Sequence, residues 1–249
     1  MECSDYTVGY ESNCSNAILT QDISLTTPLA EKRIDDYFEY KLSVILFLYV
    51  SPVLIILGTL GNGLSFGVLH TKTFRKSSVG FVLRCLAVAD ALVLNVVLLR
   101  MWILHLTHRR VDVRLFSAIG CKVHVFLSYL LPQLSSWLLV ILTVERLISV
   151  AFPLRAHMIC SRRNVAACLL LLVVVLSGLN AHFFWTFEYS FYLRPTEKHP
   201  KCFVKTRYIT FWRTTWYWLD MVMLSLIPLV VISAMNAAII ALFVTYLLL

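Results

Sequence analysis

A few charged and amide side chains lie inside otherwise apolar stretches of the sequence, and these residues are the best placed to do chemistry. Asp90 interrupts the stretch Val79–Leu104, and Asn62 follows Leu60-Gly61 in another stretch. A carboxylate near the centre of a membrane helix costs about 2.5–3.5 kcal/mol on insertion scales, so such a residue indicates a functional site. The alternatives are a protonated or solvated structural Asp90 and an Asn62 that only packs between helices.

The histidines, cysteines and known catalytic motifs give no sign of an enzyme. The sequence has no H-E-x-x-H motif and no phosphate-binding loop. Its seven histidines lack metal-ligand spacing, and its seven cysteines form no C-x-x-C pair. We therefore expect neither an enzyme nor a bound metal or organic cofactor. A transporter is disfavoured because no internal repeat is visible.

The composition indicates a membrane protein. Of the 249 residues, 59% are hydrophobic and 14% are charged, and the mean hydropathy is +0.77. A soluble domain is about 45–50% apolar and about 25% charged, so these values exclude an ordinary soluble protein and a disordered one. The net charge is +8, but the basic residues lie in short loops, where membrane lipid is the expected partner. Nucleic acid is not expected.

Five long stretches with few or no charges predict five transmembrane helices. Each is long enough to cross about 30 Å of hydrocarbon, which requires roughly 20 residues of helix. The stretches are Leu42–Thr71, Val79–Leu104, Val123–Val144, Asn164–Phe187 and Met221–Leu249. A proline inside a helix removes one hydrogen bond, so we expect kinks at Pro52, Pro132 and Pro228.

Residues 1–41 precede these stretches and form a polar tail. The tail holds eight of the fourteen acidic residues and only three Lys/Arg, and it does not resemble a cleavable signal peptide. Asn13-Cys14-Ser15 matches the N-glycosylation sequon. We predict a disordered extracellular tail, glycosylated at Asn13, followed by a membrane domain over 42–249. The loops on both sides of the membrane are basic, so the positive-inside rule does not decide the orientation.

Glu145-Arg146 ends the third apolar stretch and indicates which residues share a membrane face. Cys121 lies 25 residues before Arg146, and 25 residues of helix span about 37 Å, so the two lie at opposite faces. If Arg146 is cytoplasmic, Cys121 is extracellular and can form a disulfide, for which Cys202 in the long loop is the only well-placed partner. The bond would close a loop of about 80 residues, worth roughly 4 kcal/mol in the chain-entropy model.

Six features in chain order resemble motifs of the rhodopsin-like (class A) G protein-coupled receptors. They are Gly61-Asn62, Leu86-Ala87-Val88-Ala89-Asp90, Cys121 with Cys202, Ser135-Ser136-Trp137 through Glu145-Arg146-Leu147, Pro153 and Pro228. The resemblance implies an all-α integral membrane fold, made of helices one to five of a seven-helix receptor bundle. It also implies a plasma-membrane protein with its N-terminus outside. Gly120-Cys121-Lys122 and Leu226-Ile227-Pro228 with Asn236 resemble invertebrate neuropeptide receptors of the FMRFamide type.

The resemblance implies a function and an activation switch. The expected activity is that of a receptor for an extracellular peptide, here a neuropeptide, which signals to a heterotrimeric G protein. The switch is Glu145, Arg146 and Leu147, with Arg146 paired to Glu145 at rest and facing the G protein when active. Leu147 replaces the usual Tyr of this motif. Pro228 is the fifth-helix proline that takes part in activation.

The resemblance also implies a pocket for sodium and water, the one cofactor site expected. Asn62, Asp90 and Ser135 belong to it, but its other ligands come from helix seven of the family. The chain stops at Leu249, which leaves out helices six and seven, so we expect a fragment of a longer receptor. The alternative is a non-signalling five-helix protein that binds and modulates a full-length receptor.

The outer half of the third stretch resembles the ligand pocket of the family. Ser128, Tyr129, Pro132 and Gln133 are spaced to share a helix face, and Arg100 with neighbouring arginines could pair with an acidic ligand. Amine receptors carry Asp at the position of Ser128, so a monoamine ligand is disfavoured. The alternatives are ordinary packing for Tyr129 and Gln133 and solvated charges for the arginines. An interfacial aromatic belt is expected just before helix five, formed by Trp212, Trp216, Tyr217 and Trp218.

Overall fold

The computed structural model describes residues 38–107, 110–193 and 198–248. Five helices in these ranges are long and apolar enough to cross a membrane: α1 Phe38–Leu69, α2 Ser78–Leu106, α3 Ala118–Ala151, α4 Arg162–Thr186 and α5 Phe211–Tyr246. The predicted all-α membrane fold with five spanning helices is therefore confirmed. The end of the bundle with Cys121 and Cys202 is called the disulfide end below, and the opposite end is called the Arg146 end.

Each helix begins before the apolar stretch that predicted it. The largest difference is in α5, which begins at Phe211, ten residues before the stretch that starts at Met221. The tryptophans expected ahead of helix five therefore lie inside it, and that part of the prediction was wrong. Polar side chains such as Arg213 are accommodated because long side chains near helix ends reach the headgroup region.

Serine side chains mark the starts of three helices. Ser77, Ser117 and Ser161 each accept a hydrogen bond from the backbone N–H three residues later, at the first turns of α2, α3 and α4. Such N-caps satisfy donors that have no partner within the helix. The connections between the spanning helices contain short helical segments at Lys72–Arg75, Val113–Phe116, Pro153–Ile159 and Thr206–Tyr208.

The third helix is the centre of the bundle. α3 contacts α2, α4 and α5, while α1 packs on α2. One buried cluster joins α2, α3 and α4 towards the Arg146 end and consists of Val82, Ala89, Leu138, Leu142, Val165 and Leu169. A second cluster lies near the disulfide end and consists of Val125, Phe183, Phe187 and Trp216. The residues on α3 are thereby held between helices on several sides, which suits them for a site.

Two of the three prolines expected to disturb a helix follow a π-helical turn. The turn Leu46–Val50 precedes Pro52 in α1, and the turn Val222–Leu226 precedes Pro228 in α5. Pro132 lies inside the α-helical part of α3. Two further π-helical turns, Val93–Leu98 in α2 and Phe211–Trp216 at the start of α5, contain no proline.

Indole N–H groups from neighbouring helices bond to the carbonyls before these two prolines. Trp102 Nε1 in α2 donates to the carbonyl of Leu48, four residues before Pro52, at 3.1 Å. Trp137 Nε1 in α3 donates to the carbonyl of Met223, five residues before Pro228, at 3.0 Å. Proline has no N–H to bond these carbonyls, and bilayer hydrocarbon offers no water. The tryptophans therefore fix α1 on α2 and α5 on α3.

A β-hairpin lies at the disulfide end, where the sequence predicts a long loop. Strands β1 Phe187–Leu193 and β2 Lys198–Val204 pair antiparallel, with Tyr189 opposite Cys202. The structure contains the predicted Cys121–Cys202 disulfide, with a Cα–Cα distance of 5.8 Å. The bond attaches the hairpin to the first turn of α3 and so holds it over that end of the bundle.

Candidate functional site

The middle of the bundle contains the polar pair Asp90 and Ser135. The Ser135 hydroxyl donates to Asp90 Oδ1 across the α2–α3 contact. Asn62 lines a cavity of about 470 Å³ between α1 and α2, together with Asp90. The structure thus brings the three predicted pocket residues together, although no hydrogen bond joins Asn62 to Asp90 within the described ranges.

Glu145 and Arg146 point in different directions near the other end of α3. Glu145 is only 3% exposed and both of its carboxylate oxygens lack a hydrogen-bond partner, whereas Arg146 is exposed. Across the residues that the structure describes, no ion pair joins them. The pairing expected from the resemblance is therefore not found, because successive residues on an α-helix point about 100° apart. Leu147 is half-buried.

The surroundings of Glu145 place it where three parts of the chain meet. The hydroxyl of Ser78, at the start of α2, interacts with the carboxylate outside hydrogen-bond geometry. Burial raises the pKa of the Cys160 thiol, and the nearby negative charge of Glu145 raises it further. Glu145 therefore faces both α2 and the segment that leads into α4, while Arg146 faces away.

Gln133 joins three helices through its side-chain amide. It is 1% exposed, its Nε2 donates to Asp220 Oδ1 in α5 at 2.8 Å, and its Oε1 accepts from Asn180 Nδ2 in α4 at 2.7 Å. Gln133 thus makes specific hydrogen bonds to two other helices, whereas the sequence left ordinary packing open as an alternative. Asp220 and Asn180 could not be recognised from the sequence, because Gln133 lies 87 and 47 residues away from them along the chain.

Tyr129 lies one turn from Gln133 and belongs to an aromatic cluster. Its ring stacks on Phe183 at a centroid distance of 4.6 Å and meets the edge of Trp216 at 6.0 Å. Trp216 is 3% exposed, so the expected interfacial position was wrong for this residue, whereas Tyr217 and Trp218 are 64% and 60% exposed. The cluster connects α3, α4 and α5 beside the Gln133 junction.

Several polar atoms around this cluster are buried without a hydrogen-bond partner. They belong to two helices, α4 and α5, which meet here, since the ring of His182 lies 4.1 Å from that of Trp216. Buried polar atoms are nearly always paired in native proteins, so such a group indicates a place for a polar ligand or ordered water. The atoms are Asn180 Oδ1, His182 Nε2, Thr186 Oγ1, Trp212 Nε1 and Trp216 Nε1.

The other predicted ligand residues on α3 lie elsewhere. Ser128 donates to the carbonyl of His124 at 2.7 Å, and a His124 ring nitrogen lies 3.1 Å from the carbonyl of Val96 in α2. Pro132 lies inside α3 and is half-buried. Ser128 therefore sits on the α2 side of α3, whereas Tyr129 and Gln133 face α4 and α5.

Arg100 already has an acidic partner in the structure. Asp112 accepts hydrogen bonds from Arg100 Nη2 and Arg114 Nη2, each at 2.8 Å, and it is buried. Burial by itself would raise the pKa of Asp112, but the bonds from the two arginines outweigh it and hold that pKa well below its ordinary value. The cluster of three keeps one net positive charge, so Arg100 is partly neutralised.

One match to a catalytic motif lies in α1, and it does not have the geometry of a catalytic site. Gly63-Leu64-Ser65-Phe66-Gly67 spells G-x-S-x-G, but all five residues lie within α1. The nucleophile elbow with that spelling requires a turn from a strand into a helix, so this match has no catalytic geometry.

No group of three or more His, Cys, Asp or Glu that could hold a metal ion occurs in the described part of the chain. The predicted glycosylation site Asn13 and the rest of the tail before Phe38 lie outside the described residues, as does Arg109, one of the arginines that follow Arg100 in the sequence.

Comparison with known proteins gives two matches. A family model described as "7 transmembrane receptor (rhodopsin family)" matches residues 61–245, which is more than half of the chain. The chain is also similar to the FMRFamide peptide receptor frpr-18 of Caenorhabditis elegans, at 27% identity over 141 residues. That alignment covers 56% of this chain and 32% of the relative, so the chain spans about a third of the length of the curated relative it matches.

Proposed function

Because the chain belongs to the rhodopsin family of seven-transmembrane receptors, we propose that it forms part of a receptor for an extracellular neuropeptide that signals to a heterotrimeric G protein. The observation that carries this proposal is the group of unpaired polar atoms around Trp216, beneath the disulfide-anchored hairpin. A peptide backbone offers both donors and acceptors, which suits a group that contains indole N–H, amide and hydroxyl atoms.

The charges at the disulfide end favour a peptide without a free terminal carboxylate. Asp112 already pairs with both Arg100 and Arg114, so each guanidinium has an acidic partner without the ligand, and the cluster keeps only one net positive charge. Asp220 is half-buried, and it bonds to Gln133 through Oδ1, so that Oδ2 takes no part in this bond. Its carboxylate can therefore accept a cationic side chain of the ligand. An amidated peptide with a basic residue, as the name of the C. elegans relative suggests for that protein, fits both features.

The chain is a multi-pass plasma-membrane protein, and we place its N-terminus outside. This orientation puts the tail with Asn13 and the Cys121–Cys202 disulfide in the oxidising compartment, where disulfides persist. It puts Arg146 at the cytoplasmic face. The orientation is supported by the sequon in the tail that precedes α1, and by the disulfide and hairpin at the end of the bundle where α1 begins.

Signal transfer in this proposal runs along α3. Tyr129 and Gln133 contact the ligand region, and Glu145 and Arg146 lie about 18 to 25 Å further along the same helix. A ligand that binds one packing of α3 and α5 more tightly than another shifts the population towards it. The exposed Arg146 is then the residue that meets the G protein, and Glu145 is held inside by α2.

The same proposal includes a sodium ion beside Asp90. The Asp90 carboxylate and the Ser135 hydroxyl supply oxygen atoms, which suit a hard cation, and Asn62 lines the adjoining cavity. Bound sodium would supply positive charge that offsets the intramembrane carboxylate. These residues therefore hold the carboxylate in a polar environment between α1, α2 and α3.

The proposal is tested by peptide-stimulated guanine-nucleotide exchange in membranes that contain the protein and a G protein. A panel of short amidated peptides is the probe, and Arg146→Ala is compared with Arg155→Ala, an exposed arginine in the next loop. We expect exchange that Arg146→Ala abolishes and Arg155→Ala retains, with peptide binding unchanged in both. The alternative, a non-signalling protein that modulates a full-length receptor, requires no exchange by the chain itself. It also requires altered signalling of a co-expressed receptor.

A further inference from the structure

A cavity of about 670 Å³ lies between α2, α3 and α4, and the Arg146 end of α1 also lines it. Neither Asp90 nor Ser135 is among its lining residues, and it lies apart from the ligand region. Its opening faces the surroundings of the bundle rather than its centre, because lining residues such as Val88 and Val173 are 44% and 38% exposed. Three arginines, Arg75, Arg84 and Arg162, line it at the Arg146 end. Most of its other lining residues are apolar.

Arg84 is the residue in this cavity that most needs an explanation. It is 7% exposed, and its guanidinium donates to the backbone carbonyls of Leu69 at 3.1 Å and Arg75 at 3.4 Å. Both carbonyls end helical segments and so carry partial negative charge, but neither supplies a full counter-charge, and a guanidinium has five N–H donors. A buried cation without a counter-charge in a membrane helix is costly. Among the described residues, no carboxylate forms an ion pair with Arg84.

Arg162 comes to the same place from the start of α4. Its Nη1 donates to the carbonyl of Arg75 at 3.1 Å, the carbonyl that Arg84 also contacts. Its guanidinium lies 5.4 Å from the centre of the Phe81 ring, a cation–π contact that holds it over α2. Two guanidinium groups are therefore held near one another, and no acidic side chain lines the described cavity. The arrangement fits an anion between them.

The apolar part of the cavity extends from the arginines towards the middle of the membrane. Leu92 lies eight residues beyond Arg84 on α2, and Val173 lies eleven residues beyond Arg162 on α4. At 1.5 Å per residue, these walls run about 12 to 16 Å along the helices. A charged end followed by an apolar channel in the direction of the bilayer normal matches the headgroup and acyl chain of a phospholipid.

We propose that this cavity binds one anionic phospholipid. Arg84 and Arg162 hold its phosphate, Arg75 contributes further positive charge, and one acyl chain lies along Val88, Leu92 and Val173. In the orientation proposed above, the lipid belongs to the cytoplasmic leaflet, where acidic lipids are concentrated. Only the choice of leaflet depends on the proposed receptor function, since the site itself stands on the arginines and the cavity.

The test titrates the purified full chain in detergent with phosphatidylserine or phosphatidylcholine and counts bound lipid by native mass spectrometry. Phosphatidylserine should bind about tenfold more tightly, as expected for a phosphate and carboxylate meeting paired guanidinium groups. Arg162→Gln should remove most of that preference. The matched control is Arg163→Gln, an exposed neighbour that does not line the cavity, and it should change the affinity less than about twofold. Equal loss in both variants, or equal binding of the two lipids, overturns the proposal.

A second pair of variants tests the acyl-chain part and leaves the arginines in place. Val173→Trp fills the channel, whereas Val174→Trp adds the same ring at an exposed position outside it. We expect Val173→Trp to weaken phosphatidylserine binding and Val174→Trp to leave it unchanged. Glycerophosphoserine, which has the headgroup without acyl chains, should not displace the lipid at equal concentration. Displacement by it would mean a site for free phosphate compounds, and an unchanged Val173→Trp would likewise overturn the lipid site.

Discussion

Replacing Gln133 by Leu removes the amide that joins α3, α4 and α5 while keeping a side chain of similar size. Two hydrogen bonds are lost, one to the carboxylate of Asp220 and one from Asn180. A hydrogen bond to a charged group contributes about 1.5–3 kcal/mol and a neutral one about 0.5–1.5 kcal/mol. Asn180 Nδ2 keeps its bond to the carbonyl of Leu176 at 2.8 Å, so most of the cost falls on Asp220. We expect Gln133→Leu to lower the free energy of unfolding by about 2–4 kcal/mol.

Thermal unfolding of the purified protein in detergent measures this change. For a chain of this size, 1 kcal/mol corresponds to about 2–4 °C in Tm, so Gln133→Leu should lower Tm by roughly 4–16 °C. The matched control is Asn236→Leu, which removes an exposed amide from α5. An exposed substitution of this kind usually changes stability by less than about 0.5 kcal/mol.

A double variant separates the hydrogen bonds from simple packing effects. When both partners of a buried bond become apolar, neither is left unpaired, and the loss is small. Gln133→Leu combined with Asp220→Leu should therefore be more stable than the sum of the single changes predicts. The reasoning is refuted if Gln133→Leu is no worse than Asn236→Leu, or if the two substitutions are strictly additive.

Three other substitutions test separate contacts by the same thermal measurement. Trp102→Phe keeps an aromatic ring but removes the N–H that bonds to α1, and it should cost about 1 kcal/mol, while Trp218→Phe at an exposed position should cost nothing measurable. Asp112→Asn should cost about 2–3 kcal/mol at neutral pH, because two arginines lose their counter-charge. The pKa of Asp112 is depressed in the folded protein. The difference in Tm between wild type and Asp112→Asn should therefore hold from pH 7 to about pH 5 and shrink as the pH falls further. A difference in Tm that grows in acid contradicts this reasoning. Cys202→Ser should cost about 4 kcal/mol for a disulfide that spans 81 residues, and a reducing agent should lower Tm in the wild type only.

The number and order of the spanning helices could be predicted from the sequence, because a bilayer requires long apolar segments with internally bonded backbones. Their ends could not be predicted equally well. α5 starts at Phe211 in a segment with Trp212, Arg213 and Asp220, which a search for uncharged residues excludes. The β-hairpin was also missed. β1 is short and aromatic and β2 is basic and contains Pro200, so neither strand forms a long apolar stretch, and the position of the hairpin depends on the bond from Cys202 to Cys121.

From the sequence, site residues could be grouped only when they share one helix or belong to one family motif. The resemblance grouped Asp90 with Ser135, and these two side chains are hydrogen-bonded in the structure. Spacing on one helix grouped Ser128 with Gln133, yet the structure turns them towards different helices. Asp220 had no visible partner in the sequence, because the register between α3 and α5 decides which residues meet. Periodicity along a single segment does not contain that register.

The two proline contacts suggest a rule that sequence reading alone did not use. A proline in a membrane helix leaves a carbonyl without its usual donor, and hydrocarbon supplies no replacement. In this protein the replacement is an indole N–H from the adjacent helix, from Trp102 near Pro52 and from Trp137 near Pro228. Pro52 in α1 and Pro228 in α5 therefore each mark a donor on a neighbouring helix at the same depth, which gives a constraint on helix register. In α5, this contact places Trp137 level with the turn before Pro228. Gln133 lies four residues before Trp137 on α3, which is about 6 Å at 1.5 Å per residue, and this brings Gln133 to the level of Asp220.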